Sequence, residues 1–186
     1  LNSRRRLYFL LKIHQLFFRT YITIFLAVLI TLTLVTYFWA KNLYLNQIEK
    51  NLIQNIDTLS IVLKDSNNIT NIKNIVKNLH SELSLRITII DENGVVIAES
   101  DKDLVDINNH SNRVEIIQAK NKGFGKDKRI SETINKELLY IAKKVVLNES
   151  TYYIRMADYT NRITDNFIKL TLEIFIYISF FLIIAF

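Results

Sequence analysis

The chain has 186 residues, a formal net charge of +6 and 49% hydrophobic residues, so it has room for one domain of ordinary size and some additional segments. It contains no cysteine, which excludes disulfide bonds, thiolate metal sites and a cysteine nucleophile. It also contains no proline and only three glycines, too few for a phosphate-binding loop or a dinucleotide fingerprint.

The first element is an apolar stretch from Thr20 to Ala40, 21 residues without a charge. As a helix with a rise of about 1.5 Å per residue, it is long enough to cross the ~30 Å hydrocarbon core of a bilayer. It is longer than a typical signal-peptide core and no small-x-small cleavage site follows it, so a retained anchor is favoured over a signal peptide. The sequence therefore predicts a transmembrane helix over 20–40 and the lipid bilayer as a partner.

Charge predicts the orientation of this span. Residues 1–19 hold five basic residues and no acidic one, whereas residues 41–165 hold 18 basic and 17 acidic residues. The positive-inside rule places 1–19 in the cytoplasm as a basic tail and 41–165 outside the cell membrane. The nearly neutral 41–165 segment also argues against a nucleic-acid partner.

An apolar stripe follows the first span at steps of three and four residues. Its members are Leu45, Ile48, Leu52, Ile56, Leu59 and Leu63. The spacing predicts that the first helix continues outward as one long rod. A short heptad run fits two arrangements equally, a helix packed on its own domain or the seam of a homodimer, and a homodimer is expected.

The next segment keeps a helical pattern and then changes to strands. Asn67 and Asn68 interrupt the rod, and apolar residues from Ile69 to Leu79 predict a second, shorter helix. A β-branched run over 86–91, the turn at Gly94 and an apolar run over 95–98 predict a hairpin.

A crossover helix and three more strands complete the predicted outer domain. The helix is expected over 112–120, capped by Asn109 or Ser111, with Val114, Ile117 and Ile116 facing inward. A turn at Gly123-Phe124-Gly125 is expected to end it, followed by strands over 128–134, 138–146 and 152–158. This order predicts an α+β domain with a five-stranded antiparallel sheet and helices on one side.

A second apolar block covers residues 166–186 and is expected to be a second transmembrane helix. Its uncharged part, 174–186, is too short to span a bilayer alone. Lys169 and Glu173 are therefore expected to form an ion pair at the outer interface, with the span continuing beyond the end of this chain.

Several stretches of the outer segment are similar to a known family. The stretch R-I-T-I-I-D-E-N-G-V-V-I-A-E-S, the block N-H-S-N-R-V-E-I, the triplet G-F-G and the segments R-I-S-E-T and L-L-Y-I-A occur in that order between Arg86 and Ala142. Together they resemble the extracytoplasmic PAS-like (single Cache) domain of bacterial phosphate-regulon-type sensor histidine kinases. Val114 departs from the proline usual there, which removes some preorganisation of the helix start.

The resemblance implies a sensor domain held between two transmembrane helices. It marks six structural-motif residues: Asp91, Gly94, Asn109, His110, Gly123 and Gly125. It also implies a dimerising, ATP-binding kinase core and a cognate response regulator as partner. That core is not in this sequence, because no proline is present and the three histidines are followed by Gln, Ser and Ser.

The sequence predicts no catalytic residue, no cofactor and no metal site. Asp101, Asp103 and Asp106 alternate as in a calcium loop, but the glycine and the terminal glutamate of that loop are missing. A solvated loop is the favoured interpretation. His110 is expected to be a hydrogen-bonding structural residue, with a pH-switch role as the alternative.

Four polar residues are candidates for ligand binding: Arg113, Arg129, Ser131 and Tyr140. On the concave face of a PAS-like sheet they would suit a small anion or a carboxylate. The favoured alternative is that they tie the crossover helix to the sheet.

The leading functional hypothesis is the sensory and transmembrane module of a two-component sensor histidine kinase. A non-enzymatic membrane-anchored scaffold that binds a partner, and the sensor of a chemoreceptor or cyclase, are the alternatives.

Overall fold

The computed structural model describes residues 2–64, 69–101, 109–131, 135–160 and 162–185. The elements are, in order, α1 (Asn2–Lys64), α2 (Ile69–Leu83), β1 (Arg86–Asp91), β2 (Val96–Glu99), α3 (Val114–Lys122), β3 (Phe124–Ile130), β4 (Glu137–Leu147), β5 (Ser150–Tyr159) and α4 (Arg162–Ala185). The chain divides into two compact units, one of residues 1–43 with 166–186 and one of residues 44–165.

The second unit contains a five-stranded sheet in the order β2-β1-β5-β4-β3. Every neighbouring pair is antiparallel, and an irregularity between Ile89 and Ile90 shifts the register of β1 against β2. The predicted α+β domain with a five-stranded antiparallel sheet and a long N-terminal helix is confirmed. The expected placement of the helices on one side of the sheet is wrong, because α1 packs on one face and α3 on the other.

One face of the sheet packs against the outer part of α1. Ile48, Leu52, Ile56, Leu59 and Leu63 are at most 4% exposed and belong to one core cluster with alternate residues of the strands. The strand members of this cluster are Ile87, Ile89, Leu139, Ile141, Leu147, Ile154 and Met156. Burial of this apolar surface is the main force that holds α1 on the sheet.

This packing corrects the predicted dimer seam. Five of its six residues lie in the core of their own domain, so the same side chains cannot line a contact with a second copy. Leu45, the sixth, is half-buried. The heptad-like spacing arose because an intramolecular apolar stripe and a coiled-coil seam use nearly the same period.

The short helix α2 completes the same core. Val76 is fully buried, and Ile72, Ile75 and Leu79 pack against the cluster that α1 and the sheet form. The predicted second helix is confirmed, whereas the predicted break at Asn67 and Asn68 lies outside the described residues.

The crossover helix differs from its prediction in its start and its buried face. It begins at Val114 with Arg113 as N-cap, and no side chain makes the capping hydrogen bond expected from Asn109 or Ser111. Glu115, Ile116 and Ala119 are buried, whereas Val114 and Ile117 are 49% and 45% exposed. The inward position of Ile116 is thus confirmed and those of Val114 and Ile117 are wrong.

The glycine triplet does not form a single turn. Gly123 ends α3 in the left-handed conformation with φ of 79°, the backbone that favours glycine. Phe124 and Gly125 already belong to β3, which therefore starts four residues before the predicted strand. A β-carbon on Gly125 would lie 1.9 Å from the carbonyl oxygen of Glu115, so glycine is required where α3 crosses this strand. The predicted strand residues 132–134 lie outside the described part.

The first unit contains the apolar part of α1. Among the described residues, α1 is the one helix long and apolar enough to cross a membrane. Large apolar side chains along it are exposed, for example Tyr21, Phe25 and Val35. The hydroxyls of its threonines, such as Thr23 and Thr31, donate to the carbonyl four residues earlier. A continuous apolar surface with its polar groups satisfied inside the helix suits a lipid environment.

The helix α4 is also apolar and exposed along much of its length, as at Ile176 and Phe180. Its Phe167 ring lies 5.1 Å from the Tyr37 ring of α1, centroid to centroid. Lys169 and Glu173 are both exposed, and no ion pair joins them in the described part of α4. The predicted interfacial ion pair is therefore not formed.

Candidate functional site

The second face of the sheet carries buried polar residues. The strand register places Glu99, Thr88, Arg155, Ala142 and Gly125 side by side in one row across all five strands. Three of them are polar and buried, while the last two are small and leave room for α3 above β4 and β3. The register therefore brings a polar cluster and the crossover helix together.

Glu115 of α3 is the centre of this cluster. Its carboxylate is fully buried and accepts two hydrogen bonds from the Arg129 guanidinium, at 2.8 and 2.9 Å. One oxygen also accepts from Arg155 Nη1 at 3.3 Å. Arg129 further pairs with Asp127 on its own strand. Two arginines from β3 and β5 thus hold one carboxylate of α3, in the fork geometry that guanidinium groups favour.

A second carboxylate completes the charge balance on the β1 side. Glu99 accepts from Thr88 Oγ1 at 2.8 Å and from Arg86 Nε at 3.1 Å. Thr88 in turn accepts from Arg155 Nη2 at 2.9 Å. Arg155, 3% exposed, therefore lies between Glu99 and Glu115 through direct and hydroxyl-mediated contacts.

The charges in the cluster perturb one another. Burial opposes ionisation of Glu115, but the hydrogen bond and charge of Arg129, with the charge of Arg155, lower its pKa overall. Burial likewise opposes the charge on Arg129, yet Glu115 raises the pKa of that guanidinium. For Arg155, burial outweighs Glu115 and Glu99 and lowers the pKa. Hydrogen bonds and opposite charges thus join Glu115, Arg129 and Arg155 in one buried network.

Of the four candidate ligand residues, the structure brings Arg129 and Tyr140 together and places Ser131 and Arg113 elsewhere. The Arg129 guanidinium lies 3.9 Å from the centre of the Tyr140 ring, so these two are brought together as predicted. Arg129 is, however, already committed to Glu115 and Asp127, which ties α3 to the sheet. Ser131 is buried beyond the end of β3, where its carbonyl accepts from Asn135 N–H. Arg113 is the N-cap residue of α3, two residues before Glu115.

Six members of the cluster were not predicted as site residues: Arg86, Thr88, Glu99, Glu115, Asp127 and Arg155. Two signals could have found the most important ones. Arg155 interrupts an otherwise apolar stretch of β5, which marks a charge inside a buried strand. Glu115 is the acidic residue of the block that carries the family resemblance.

The motif residues of the hairpin form a clamped turn. The Asp91 carboxylate accepts from the backbone N–H of Asn93 and Val95, and Gly94 adopts a φ of 84°. The Asn109 side chain donates to the Asn93 carbonyl, and the His110 N–H donates to the Gly94 carbonyl. These contacts bring four of the six motif residues together and hold the start of the crossover segment against the turn.

His110 is the residue of this clamp whose side chain is buried without a hydrogen bond at Nδ1. It is 6% exposed, and its Nδ1 has no hydrogen-bond partner in the structure. Its pKa is lowered to about 4, first by burial and then by the charges of Arg155 and Arg113. The ring is therefore neutral at physiological pH, and the predicted structural hydrogen bond of its side chain is not formed through Nδ1.

No group of three metal-ligating side chains occurs among the described residues. Asp101 contacts His80 at 3.5 Å and Arg86 at 3.9 Å. Asp103 and Asp106 lie outside the described residues.

No protein-family model and no curated protein matches the chain. Solved structures of chemoreceptor domains are similar. The ligand-binding domain of Mlp24 with asparagine has a TM-score of 0.48 and 16% identity, with 61% of this chain and 52% of that domain covered. A methyl-accepting chemotaxis protein from Vibrio parahaemolyticus has a TM-score of 0.45 and 19% identity, with 66% and 95% covered.

The ligand-binding domain of the Campylobacter jejuni chemoreceptor Tlp3, in complex with 4-methylisoleucine, has a TM-score of 0.47 and 12% identity, with 65% of this chain and 56% of that domain covered. The chain thus spans about half the length of the Mlp24 and Tlp3 domains. None of these matches is a phosphate-regulon kinase.

Proposed function

We propose that this chain is the sensory and transmembrane module of a bacterial signalling receptor. The observation that carries the proposal is the composition of α1, a single helix from Asn2 to Lys64. It includes both the uncharged apolar run 20–40 and the stripe buried in the core of the outer domain. A domain whose core includes part of a membrane helix cannot change its packing without acting on that helix.

The membrane is the expected partner, with residues 1–19 in the cytoplasm and 41–165 outside. The exposed apolar surface of α1 and the basic tail support this arrangement. We propose α4 as the second span. No cofactor is expected, and signalling would proceed by a shift between two conformations of the outer domain.

For the output, we favour a histidine kinase of the phosphate-regulon type, acting on a cognate response regulator. The support is the resemblance of the stretch between Arg86 and Ala142. The sequence that follows Phe186 in the parent gene decides among the outputs. A phosphoacceptor box supports a kinase, a long methyl-accepting coiled coil a chemoreceptor, a cyclase domain a cyclase, and an early stop codon a scaffold.

Cysteine labelling in intact cells tests the topology, because the native chain has no cysteine. We expect Lys122→Cys, on the exposed end of α3, to react with a membrane-impermeant maleimide after the outer membrane, if present, is opened. Ser3→Cys should react only after the inner membrane is also permeabilised. The opposite pattern, or release of the protein from membranes by carbonate, would contradict the proposal.

We also propose a homodimer, since receptors of this kind signal through paired helices. The contact along α1 must use its exposed positions, such as Asn51, Gln54 and Thr58, because the stripe itself is buried. Disulfide cross-linking of Gln54→Cys should give a dimer in membranes. Ile56→Cys, two residues further along α1 but buried in the core, should not. A monomer with every exposed position tested would refute dimerisation through α1.

A further inference from the structure

The start of the crossover segment has polar groups that the buried network does not use. Residues 110–113 form a turn in which the Arg113 N–H donates to the His110 carbonyl at 3.1 Å. The nine-residue helix α3 follows directly. His110, Arg113 and the first amides of α3 are therefore neighbours because of the backbone itself.

The first of these groups is the imidazole of His110. Its side chain is more than nine-tenths buried, and Nδ1 has no hydrogen-bond partner. A buried polar nitrogen without a partner keeps the cost of its desolvation. Native proteins rarely retain such a group unless it has a role, and a bound ligand would satisfy it.

The second group is the uncapped helix start. No side chain caps α3. The N–H groups of Ile116 and Ile117 donate to the Arg113 carbonyl, whereas the Val114 N–H has no hydrogen-bond partner among the described residues. Glu115, the acidic residue of the first turn, is committed to Arg129 and Arg155. Arg113 is only partly buried, and its side chain forms no hydrogen bond or ion pair with the residues that the structure describes. A free amide and a free guanidinium at a helix start attract anions.

The charge that remains uncompensated near His110 is that of Arg113. Arg155 and Arg86, which also lower the pKa of His110, are paired with Glu115, Glu99 and Asp101. An anion at the turn would be attracted by the Arg113 guanidinium.

Building on the proposed sensory function, we infer that His110, Arg113 and the start of α3 form a binding site for a small oxyanion, a carboxylate or a phosphate. Arg113 supplies charge and a guanidinium fork, the first residue of α3 supplies the Val114 N–H, and His110 Nδ1 supplies a neutral hydrogen bond. This site includes one predicted ligand residue, Arg113, and leaves out Arg129, Ser131 and Tyr140. Of these three, Arg129 is already paired with Glu115.

The test is anion titration of the full chain in detergent micelles at pH 7 and constant ionic strength. Sodium acetate and inorganic phosphate are compared with sodium chloride, and the thermal midpoint is followed together with calorimetric binding. We expect acetate or phosphate to raise the midpoint in a saturable way, since a ligand that binds the folded state stabilises it. The anion that acts identifies the source of the ligand.

Two variants, one at each end of α3, decide whether the site is the one inferred. Arg113→Gln should weaken anion binding about tenfold or more, the loss expected for one charge-assisted hydrogen bond. Lys122→Gln removes the same charge from the other end of the helix and should change binding less than about twofold. Equal loss in both variants, or no response beyond that to chloride, would overturn the inference.

His110→Phe keeps a ring of similar shape and removes the nitrogen, so it should also weaken binding. If this variant does not fold, Arg113→Gln still decides the question. A correct labelling topology without any anion response would refute this site and leave the sensory proposal intact. A reversed topology with saturable anion binding would support this site and refute the sensory proposal.

Discussion

The two faces of the sheet are built on different principles. The core of the face under α1 is apolar, with fully buried residues such as Ile56, Ile87 and Ile141. Its charged pairs with α1, Lys126–Glu49 and Lys143–Asp57, are partly exposed. The face under α3 holds two buried carboxylates and the buried Arg155. Side chains alternate along a strand, so successive rows across the sheet face α1 and α3 in turn.

The difference teaches how each face responds to change. Apolar contacts are many and individually weak. Truncating one apolar side chain therefore lowers the free energy of unfolding by the burial that is lost and by the cost of the cavity that is left. A buried charge network stabilises only while every partner is present, because a single unpaired charge keeps its full desolvation cost. The face with fewer apolar contacts should therefore be the more sensitive to single substitutions.

The largest effect is expected from Glu115→Ala on the polar face. Arg129 and Arg155 would lose their shared carboxylate, and the free energy of unfolding should fall by about 3–5 kcal/mol. Denaturant unfolding of the full chain in micelles, followed by near-ultraviolet circular dichroism, measures it. Glu49→Ala, which breaks the exposed pair with Lys126, should cost less than about 1 kcal/mol.

Replacing the three charges together sharpens this expectation. The variant Glu115→Leu, Arg129→Met and Arg155→Met removes both signs at once, and it should be less destabilised than Glu115→Ala alone. If the triple variant is destabilised by the sum of its single changes, the three residues are not one network.

The apolar face is tested by Ile56→Ala. Ile56 is completely buried in the α1 core, and its truncation should lower the free energy of unfolding by about 2–5 kcal/mol. Val62→Ala, on the exposed side of the same helix, should change it by less than about 0.5 kcal/mol. The same unfolding assay applies, and equal costs would mean that α1 does not pack on the sheet as described.

His110 should make the stability of the domain depend on pH. Its folded pKa of about 4 lies below the unfolded value of 6.5, so the unfolded state binds the proton first. Stability should be complete above pH 6.5 and should fall as the pH is lowered towards 4, by about 3 kcal/mol at pH 4.

Unfolding curves of the wild type and His110→Gln at pH 7, 5.5 and 4 isolate this contribution. The carboxylates of the network also lose stabilisation in acid, but that loss is common to both proteins. The difference between them should shrink or reverse as the pH falls, and a constant difference would show that the ring titrates normally.

The smallest of these effects is expected at Gly125. An alanine there would place its β-carbon against the Glu115 carbonyl, which is backbone and cannot turn aside. Overpacking of this kind should cost about 1–3 kcal/mol and displace α3. Gly123→Ala meets no atom within 4 Å and should cost only the left-handed backbone, about 1 kcal/mol. Unfolding should therefore distinguish two glycines that are separated by one residue.

The elements of the fold were largely predictable from the sequence. The long helix, the hairpin and the last two strands were predicted because their periods of 3.6 and 2 are strong and uninterrupted. The start of β3 was not, because Phe124 and Gly125 have the composition of a turn and become a strand only by pairing with β4.

The candidate site was predictable only in part. Asp91, Gly94 and Asn109 were marked by the family resemblance, and Gly94 also by its turn chemistry, which is a short-range property. Glu115 and Arg155 are 40 positions apart and meet only through the strand register and the packing of α3. No local pattern contains that information.

The sequence by itself determined the apolar run of α1, the excess of basic residues before it and the order of helices and strands, since these depend on composition and period along the chain. Only the tertiary structure decided which partner covers the stripe of α1, which face α3 buries and which charges pair. Those outcomes depend on desolvation and on contacts between distant segments, and a stripe suited to two partners becomes a core only when the sheet is present to cover it.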